Sequence, residues 1–521
     1  MKVLLINPPY PFEESPSPPF GLMALAAYLV ENGVTVKIED YIVNPYSMDR
    51  IQGVLDTFKP DVVGATAVTM TINRSLDILR DYRECNPNIK TVMGGPHVTF
   101  DANAILENNP WIDYIVRGEG ELSFMELLEN IDSPSSMENV KGISYRKHGK
   151  VHNNPRRAFI EDINILPFPA RHLVELSKYR ALGFPVNLMT SRGCPFSCIF
   201  CVGSKMVGRR VRYFDVERIV DEFEMLSKMK FKQINVVDDL FTSNKKRCIA
   251  ICKSIINRGI SHPWTAFARV DTVNLELLEN LKEAGCTTLC FGIESGNQEI
   301  LDRVKKKITL EKCRKAVDLC NEVGIDPMTS YILGLPGETP ETVRKTMDFA
   351  KELSPNYGYH ILAPFPGTEV RDKKEEYGMR ILTSDWDQYD ANRSVADTGA
   401  ISHQQIDSIV NEFNDGIVRY VKDIQKKLDN GESLPEDERT LYQNIRSFEI
   451  TRDIIMNRII EQFIEITNAA PDTAVIELLE KHISRSLKTR DGEVKQELDR
   501  LFALNCINVK RSSNETTITW E

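Results

Sequence analysis

The 521-residue chain has no apolar run approaching the roughly 20 residues that a membrane helix needs. Its opening, Met1-Lys2-Val3-Leu4-Leu5-Ile6-Asn7-Pro8-Pro9, turns too soon to be a secretion signal, so a cytoplasmic protein is expected. It has no surplus of positive charge. Its 65 Lys and Arg stand against 75 Asp and Glu, and the net charge of −10 argues against general nucleic-acid binding. It also lacks the cysteine density of a disulfide scaffold. Eleven cysteines in a chain of this length suit a reducing compartment, with metal or core roles. Cys85, Cys248, Cys252, Cys286, Cys290, Cys313, Cys320 and Cys506 are scattered and read as small buried hydrophobes. What is plentiful is apolar content, 42%, enough for the cores of three or four domains.

The remaining three cysteines sit together in Ser191-Arg192-Gly193-Cys194-Pro195-Phe196-Ser197-Cys198-Ile199-Phe200-Cys201, spaced C-x3-C-x2-C. The apolar run 186–189 before them reads as a buried strand, and Gly193 and Pro195 force a turn. Three thiols are thus gathered at the carboxyl end of a strand. A closed zinc site wants four ligands, and no local fourth Cys or His supplies one. An iron–sulfur cube held by three thiolates keeps one iron open. The loop resembles the cluster-binding motif of the radical SAM enzymes. That resemblance implies a 4Fe-4S cluster on Cys194, Cys198 and Cys201, with Phe200 near the adenine of S-adenosylmethionine (SAM). It also implies an electron donor such as ferredoxin or flavodoxin, and cleavage of SAM to a 5′-deoxyadenosyl radical.

Residues 1–150 alternate strand and helix: strands at 3–6, 34–38, 62–68, 90–93 and 113–116, helices at 22–31, 51–58 and 74–84. This order predicts a doubly wound parallel sheet that binds ligands beyond the carboxyl ends of its strands. The stretches Asn7-Pro8-Pro9, Pro19-Phe20-Gly21-Leu22, Gly94-Gly95-Pro96-His97 and Arg117-Gly118-Glu119-Gly120-Glu121 resemble the Rossmann-like cobalamin-binding domain found before the radical SAM domain in one subgroup. By that resemblance Pro8, Gly21, Thr66, Thr69, Gly94, Gly95, His97, Gly118, Glu119 and Gly120 contact cobalamin. The Asp-x-His-x-x-Gly motif that ligates cobalt in many such domains is absent, so no histidine is expected on the metal. The alternative is a Rossmann-like domain that has lost its cofactor.

Residues 151–170 read as a linker, extended at Leu166-Pro167-Phe168-Pro169, after a hairpin around Gly149. Residues 171–385 repeat strand and helix about six times, which predicts a partial (β/α)6 barrel with its site at the carboxyl ends of the strands. Those ends carry Asp238-Asp239, Arg269, Gly292-Ile293-Glu294-Ser295 and Gly334-Leu335-Pro336-Gly337-Glu338, each resembling a radical SAM signature. The resemblance implies that Glu294 and Ser295 hold the SAM amino and ribose groups and that Arg269 meets its carboxylate. It further implies that Gly334 lets backbone approach the adenine, and that Asp238 and Asp239 hydrogen-bond SAM. Tyr331 and His360 are candidate proton carriers on late strands, with ordinary core roles as the alternative.

Residues 386–521 read as mostly helical, at 404–429, 437–469, 472–484 and 492–504. A hairpin of 507–509 with 516–520 around Ser512-Ser513-Asn514 follows, an order that suits a winged helix. No basic stripe stands out there, which disfavours a DNA reader and leans towards peptide or protein docking. The combined reading is an α/β cobalamin-dependent radical SAM C-methyltransferase. It would methylate an unactivated carbon, with a protein or peptide side chain as the expected substrate. Methylcobalamin would deliver the methyl to a carbon radical. The alternative is oxidative cyclisation or rearrangement of a small molecule or tetrapyrrole.

Overall fold

A computed structural model describes residues 1–11, 16–133, 135–465, 472–487, 489, 492–511 and 516–521. The first sheet has the strand order β2-β1-β3-β4-β5-β6-β7. Its strands are β1 (Lys2–Asn7), β2 (Thr35–Asp40), β3 (Val62–Thr66), β4 (Lys90–Gly94), β5 (Tyr114–Val116), β6 (Ile143–Lys147) and β7 (Lys150–Asn153). The first five are parallel and the last two form an antiparallel hairpin. The hairpin completes the sheet, which therefore runs to Asn153, past the expected boundary at 150. β1 shows why the sheet is wound on both sides. Val3 and Leu5 pack with the helices Phe20–Glu31 and Gly120–Asn130, while Leu4 and Ile6 pack with Met48–Thr57, Ile72–Cys85 and Pro96–Asn108. A strand buried on both faces must be a continuous apolar run.

The second sheet has the order β15-β14-β13-β12-β11-β8. β8 is Val186–Leu188, and the short β9 (Ser191–Arg192) pairs with β10 (Arg212–Tyr213). Then come β11 (Ile234–Val236), β12 (Trp264–Ala268), β13 (Cys286–Glu294), β14 (Asp326–Leu333) and β15 (Tyr357–Ile361). Neighbours in the six-stranded sheet are all parallel, so this is the open, partial barrel expected. Its helices start where side-chain oxygens cap free N–H groups: Asn244 accepts from Arg247, Thr309 from Lys312, and Thr339 closes a capping box with Pro340 at the first turn. Gly324, at φ +77°, ends the helix Leu310–Val323 in the left-handed region. A small ladder of β16 (Arg380–Ile381) and β17 (Ala396–Asp397) leads into the tail.

The tail begins with long helices His403–Asp429 and Glu436–Met456. After a short turn of helix (Ile459–Gln462) come β18 (Ile464–Glu465), helices Asp472–Ser486 and Glu493–Ala503, then β19 (Ile507–Arg511) and β20 (Thr516–Trp520). The sheet order β18-β20-β19 gives the winged-helix topology. The sequence pattern missed β18, which is only two residues long, and residues 466–469 and the turn at 512–515 lie outside the described part. This unit docks at the amino ends of β8 and β11. Arg180 donates to the carbonyls of Asn505 (2.6 Å) and Met229 (2.8 Å), and Lys178 reaches Glu461 (2.9 Å) and Asn44 (2.8 Å). Among the described residues no helix is long and apolar enough to cross a membrane.

Candidate active site

The cysteine loop is shaped by residues on either side of it. Asp238, just past β11, is buried and accepts from the Thr190 amide (2.6 Å), the Thr190 hydroxyl (2.5 Å) and the Ser191 hydroxyl (2.6 Å). Arg247 clamps the Thr190 carbonyl from the helix Lys245–Asn257 (2.6 Å). Gly193 sits at φ +121°, and a Cβ there would stand 2.6 Å from the Arg210 carbonyl oxygen, so only glycine fits between the loop and its partner strand. Cys194 and Cys198 are half-buried, while Cys201 keeps an exposed face and its sulfur accepts the Gly203 amide (3.3 Å). Burial pushes all three thiols up, Cys201 to about 11, so they need a metal to hold them as thiolates. Among the described residues no three His, Cys, Asp or Glu side chains converge on a single-ion point. The donor set of three soft sulfurs instead suits an iron–sulfur cube, which spans more space than one ion.

Charged groups ring the loop. The Arg269 guanidinium lies 3.5 Å from the centre of the Phe196 ring, pairs with Asp271 (3.0 Å) and donates to the Lys306 carbonyl (2.8 Å). Lys306 in turn holds Glu294 (2.7 Å), which stands at φ +76°, a costly conformation for a residue with a side chain. A Cβ at Gly292 would fall 2.5 Å from the Glu294 carboxylate, so the bare glycine makes room for that pair. Gly334 (φ +86°) and Leu335 both donate to buried Glu338, at 2.7 and 3.0 Å. Phe200 packs against the buried cluster that holds Ile199, Leu335 and Leu362.

A cavity of about 380 Å³ lies between the two halves of the molecule. From the first domain it is lined by Gly21, Gly64, Thr66, Gly94, Gly95, Gly118, Glu119 and Gly120, and from the barrel by Met189, Arg192, Met206, Val207 and Asp239. The backbone cradle is specific: a Cβ on Gly95, at φ +101°, would stand 2.7 Å from the Ala67 carbonyl oxygen. Asp239 joins this cavity to the cysteine loop. Its carboxylate accepts from the Gly193 amide (3.4 Å), and the space above Gly203 is flanked by Asp239 Oδ1 and Cys201 Sγ, each 3.3 Å from a Cβ placed there. The two domains are pinned by buried ion pairs, Arg192–Glu121 (2.6 Å), Arg192–Glu119 (3.3 Å) and Arg212–Glu119 (2.8 Å). Burial alone would raise the Glu121 carboxyl, but Arg192 holds it below its ordinary value.

The structure thus brings together Phe200, Asp239, Arg269 and Glu294 around the loop, and Gly21, Thr66, Gly94, Gly95, Gly118, Glu119 and Gly120 around the cavity, while Gly334 donates to Glu338 at the end of β14. Other candidates make contacts of their own. The Asp238 carboxylate accepts from Thr190 and Ser191 and so shapes the loop. Ser295 is fully buried and shares a hydrogen bond with Thr346 of the helix Pro340–Leu353 (3.0 Å). Tyr331 is also fully buried and packs with the helix layer outside the barrel, whereas His360, flanked by Tyr359 and Ile361 of that layer and in register with Ile332, stands exposed on the interior face of β15. Pro8 lines a smaller neighbouring hollow with Thr66. His97 and Thr69 hydrogen-bond each other (3.3 Å), and the His97 ring packs edge-on against Trp386 (4.8 Å), outside the cavity. The turn at Gly95 carries His97 away from it, and burial pushes the imidazole down to about 4.

Lys306, Arg192, Glu121 and Gly64 were missed. Gly64 had a legible signal, since glycine inside a buried strand often marks a close approach. Lys306 had none, because it sits in the run Lys305-Lys306-Lys307 and only folding turns one of the three inward.

An open parallel barrel with three cysteines at its mouth, facing a doubly wound domain across a glycine-lined cavity, defines a two-cofactor radical SAM enzyme. Residues 188–350 match the radical SAM superfamily and residues 14–128 the B12 binding domain. An uncharacterised methyltransferase of Pyrococcus horikoshii is 37% identical over 418 residues, covering 79% of this chain and 91% of its own. An anaerobic magnesium-protoporphyrin IX monomethyl ester cyclase of Rubrivivax gelatinosus is 33% identical, covering 75% and 72%. The solved cobalamin-dependent SAM radical enzyme OxsB shares the fold, with TM-score 0.69 at 18% identity over 96% of this chain and 83% of that one. The chain belongs to the cobalamin-dependent radical SAM methyltransferase family, which also holds cyclases. The cofactors of these two domains are a 4Fe-4S cluster with SAM, and cobalamin.

Proposed function

We propose that the chain methylates an unactivated carbon of a small molecule held in the open barrel. The observation that carries this reading is the shared cavity: the glycine turns of the first domain and Met189, Arg192 and Asp239 of the barrel line one space. Cys194, Cys198 and Cys201 would hold the cluster. Phe200, Asp239, Arg269, Glu294 and Gly334 would hold SAM, with Lys306 fixing the Glu294 carboxylate and Asp238 and Ser295 setting the backbone around them. Gly21, Thr66, Gly94, Gly95, Gly118, Glu119 and Gly120 would seat cobalamin. When bound, the cluster with SAM supplies hydrogen-atom abstraction and cobalamin supplies the methyl group. The protein's own part is to orient these groups, to keep the charged ring of Arg269, Lys306 and Glu294 preorganised, and to exclude water. A ferredoxin or flavodoxin would provide electrons, in the reducing cytoplasm that open thiolate chemistry needs. In domain terms, residues 1–153 would bind cobalamin, 171–385 would form the reaction barrel, and 386–521 would brace it.

The winged-helix topology of the tail favours a peptide or protein side chain as substrate. Its docking at the amino ends of β8 and β11, opposite the cysteine loop, and the tetrapyrrole named for the Rubrivivax relative favour a small molecule. That relative also favours a second reading, oxidative cyclisation. The test is the reconstituted holoenzyme given SAM with a deuterated methyl group and a methyl-acceptor extract. Methyl transfer requires a product in which one trideuterated methyl group replaces a hydrogen. Formation of 5′-deoxyadenosine without label transfer would discard methylation and leave cyclisation.

A further inference from the structure

We infer that the barrel interior binds an apolar body of the substrate on a belt formed by Met189, Val237, Phe267, Cys290 and Met328, an inference that rests on the reading above. In each barrel strand, alternate residues face opposite ways. Val236, Ala266, Leu289, Phe291 and Leu333 lie in the core shared with the helix layer, so their sequence neighbours face the interior. Register then sets those neighbours side by side. Leu188 stands opposite Val236 and Val236 opposite Ala266, which aligns Met189, Val237 and Phe267; Phe267 pairs with Cys290, and Cys290 with Met328. The Cys290 and Met328 sulfurs are 3.9 Å apart.

Phe267 is 50% exposed and Met328 40%, while Trp264, Tyr331 and Leu333 on the same strands are buried. Exposed apolar surface of this kind, inside a concave sheet, marks a ligand face. Its place says what covers it. The row above carries Asp239, Arg269 and Gly292, the charged mouth at the cysteine loop. The row below is polar, with Asn187, Asn235, Thr265 and Thr288 in register and the Asp326 carboxylate at its far end; Thr265 donates to Asn235 (2.8 Å). Met189 also lines the cavity between the domains, so that end of the belt borders the candidate cobalamin seat. An occupant reaching both must pass an apolar body over one aromatic ring and two methionine side chains that adapt readily to irregular shapes. A neutral or cationic end, not an anionic one, meets the lower row with its Asp326 carboxylate.

The test is calorimetric titration of SAM-loaded holoenzyme with hexanamide, octanamide and decanamide, and with alkyl phosphates of the same lengths. Affinity for the amides is expected to rise roughly three- to fourfold per methylene, and the phosphates are expected to bind more weakly at each length. Phe267→Glu should flatten the slope while cluster and cobalamin spectra stay native, and Phe267→Leu should keep it. Should Phe267→Glu lose its spectra, Met328→Gln is read in the same way. Binding independent of chain length, phosphates binding as tightly as amides, or a spectrally native Phe267→Glu or Met328→Gln variant that binds like the parent would overturn the belt. The readout needs no turnover. Belt binding without label transfer would therefore sink only the methylation reading, and label transfer without a chain-length slope would sink only the belt.

Discussion

Two single residues fix backbone that the site depends on. Burial pushes the Glu338 carboxyl up to about 8, against the pull of the Gly334 and Leu335 amides. A carboxyl raised on folding binds its proton more tightly in the native state, so its stabilisation is full below its ordinary value near 4.5 and is lost as pH rises towards 8. Glu338→Gln should therefore flatten the fall of stability across that window, measured as melting temperature against pH; an unchanged profile would assign the fall to other groups. Gly95 offers a simpler test. Its φ of +101° alone makes alanine cost roughly 1–3 kcal/mol, and the new Cβ would also strike the Ala67 carbonyl at 2.7 Å. Gly95→Ala is expected to lose retained cobalamin through gel filtration while keeping its iron.

At the scale of elements, the cysteine loop is held from below by the end of β11. Asp238 accepts three hydrogen bonds from Thr190 and Ser191, with the Arg247 guanidinium against the same threonine. Removing the carboxylate would leave those buried donors unpaired at roughly 1–3 kcal/mol each. Asp238→Ala is predicted to lower both melting temperature and iron bound per chain, although it touches no cysteine; full iron content would deny the loop-shaping role. The element order was readable beforehand, because a strand, a capped helix and a glycine stop recur along the barrel. The direction of individual side chains was less so. Ser330-Tyr331-Ile332-Leu333 is nearly all apolar and carries no alternation, so the sequence cannot say that Tyr331 faces the helices.

Across the whole molecule, Lys178 ties three parts together. It is buried, bonds Asn44 of the first domain and Glu461 of the tail, pairs with Glu175 (3.0 Å), and lies over the Trp520 ring at 5.7 Å. Lys178→Ala should cost about 2 kcal/mol in lost charge-assisted hydrogen bonds. It should also raise amide exchange across 459–511 with cluster and cobalamin content unchanged. Exchange confined to the neighbours of residue 178 would mean that Arg180 and the apolar contact of Phe184 with Phe448 hold the tail by themselves.

The sequence by itself determined the two α/β units, their order, and the residue types of the chemistry. Strand–helix alternation, the cysteine spacing and the glycine turns are local signals that survive without neighbours. Only the tertiary structure decided which of those residues meet. It joined Asp239 to both the cavity and the cysteine loop, turned Lys306 inward among three lysines, spent Asp238 and Ser295 on neighbouring hydroxyls, and sent His97 to Trp386. Those outcomes depend on sheet register and domain docking, which bring together residues tens to hundreds of positions apart, and a linear pattern carries no term for such distances.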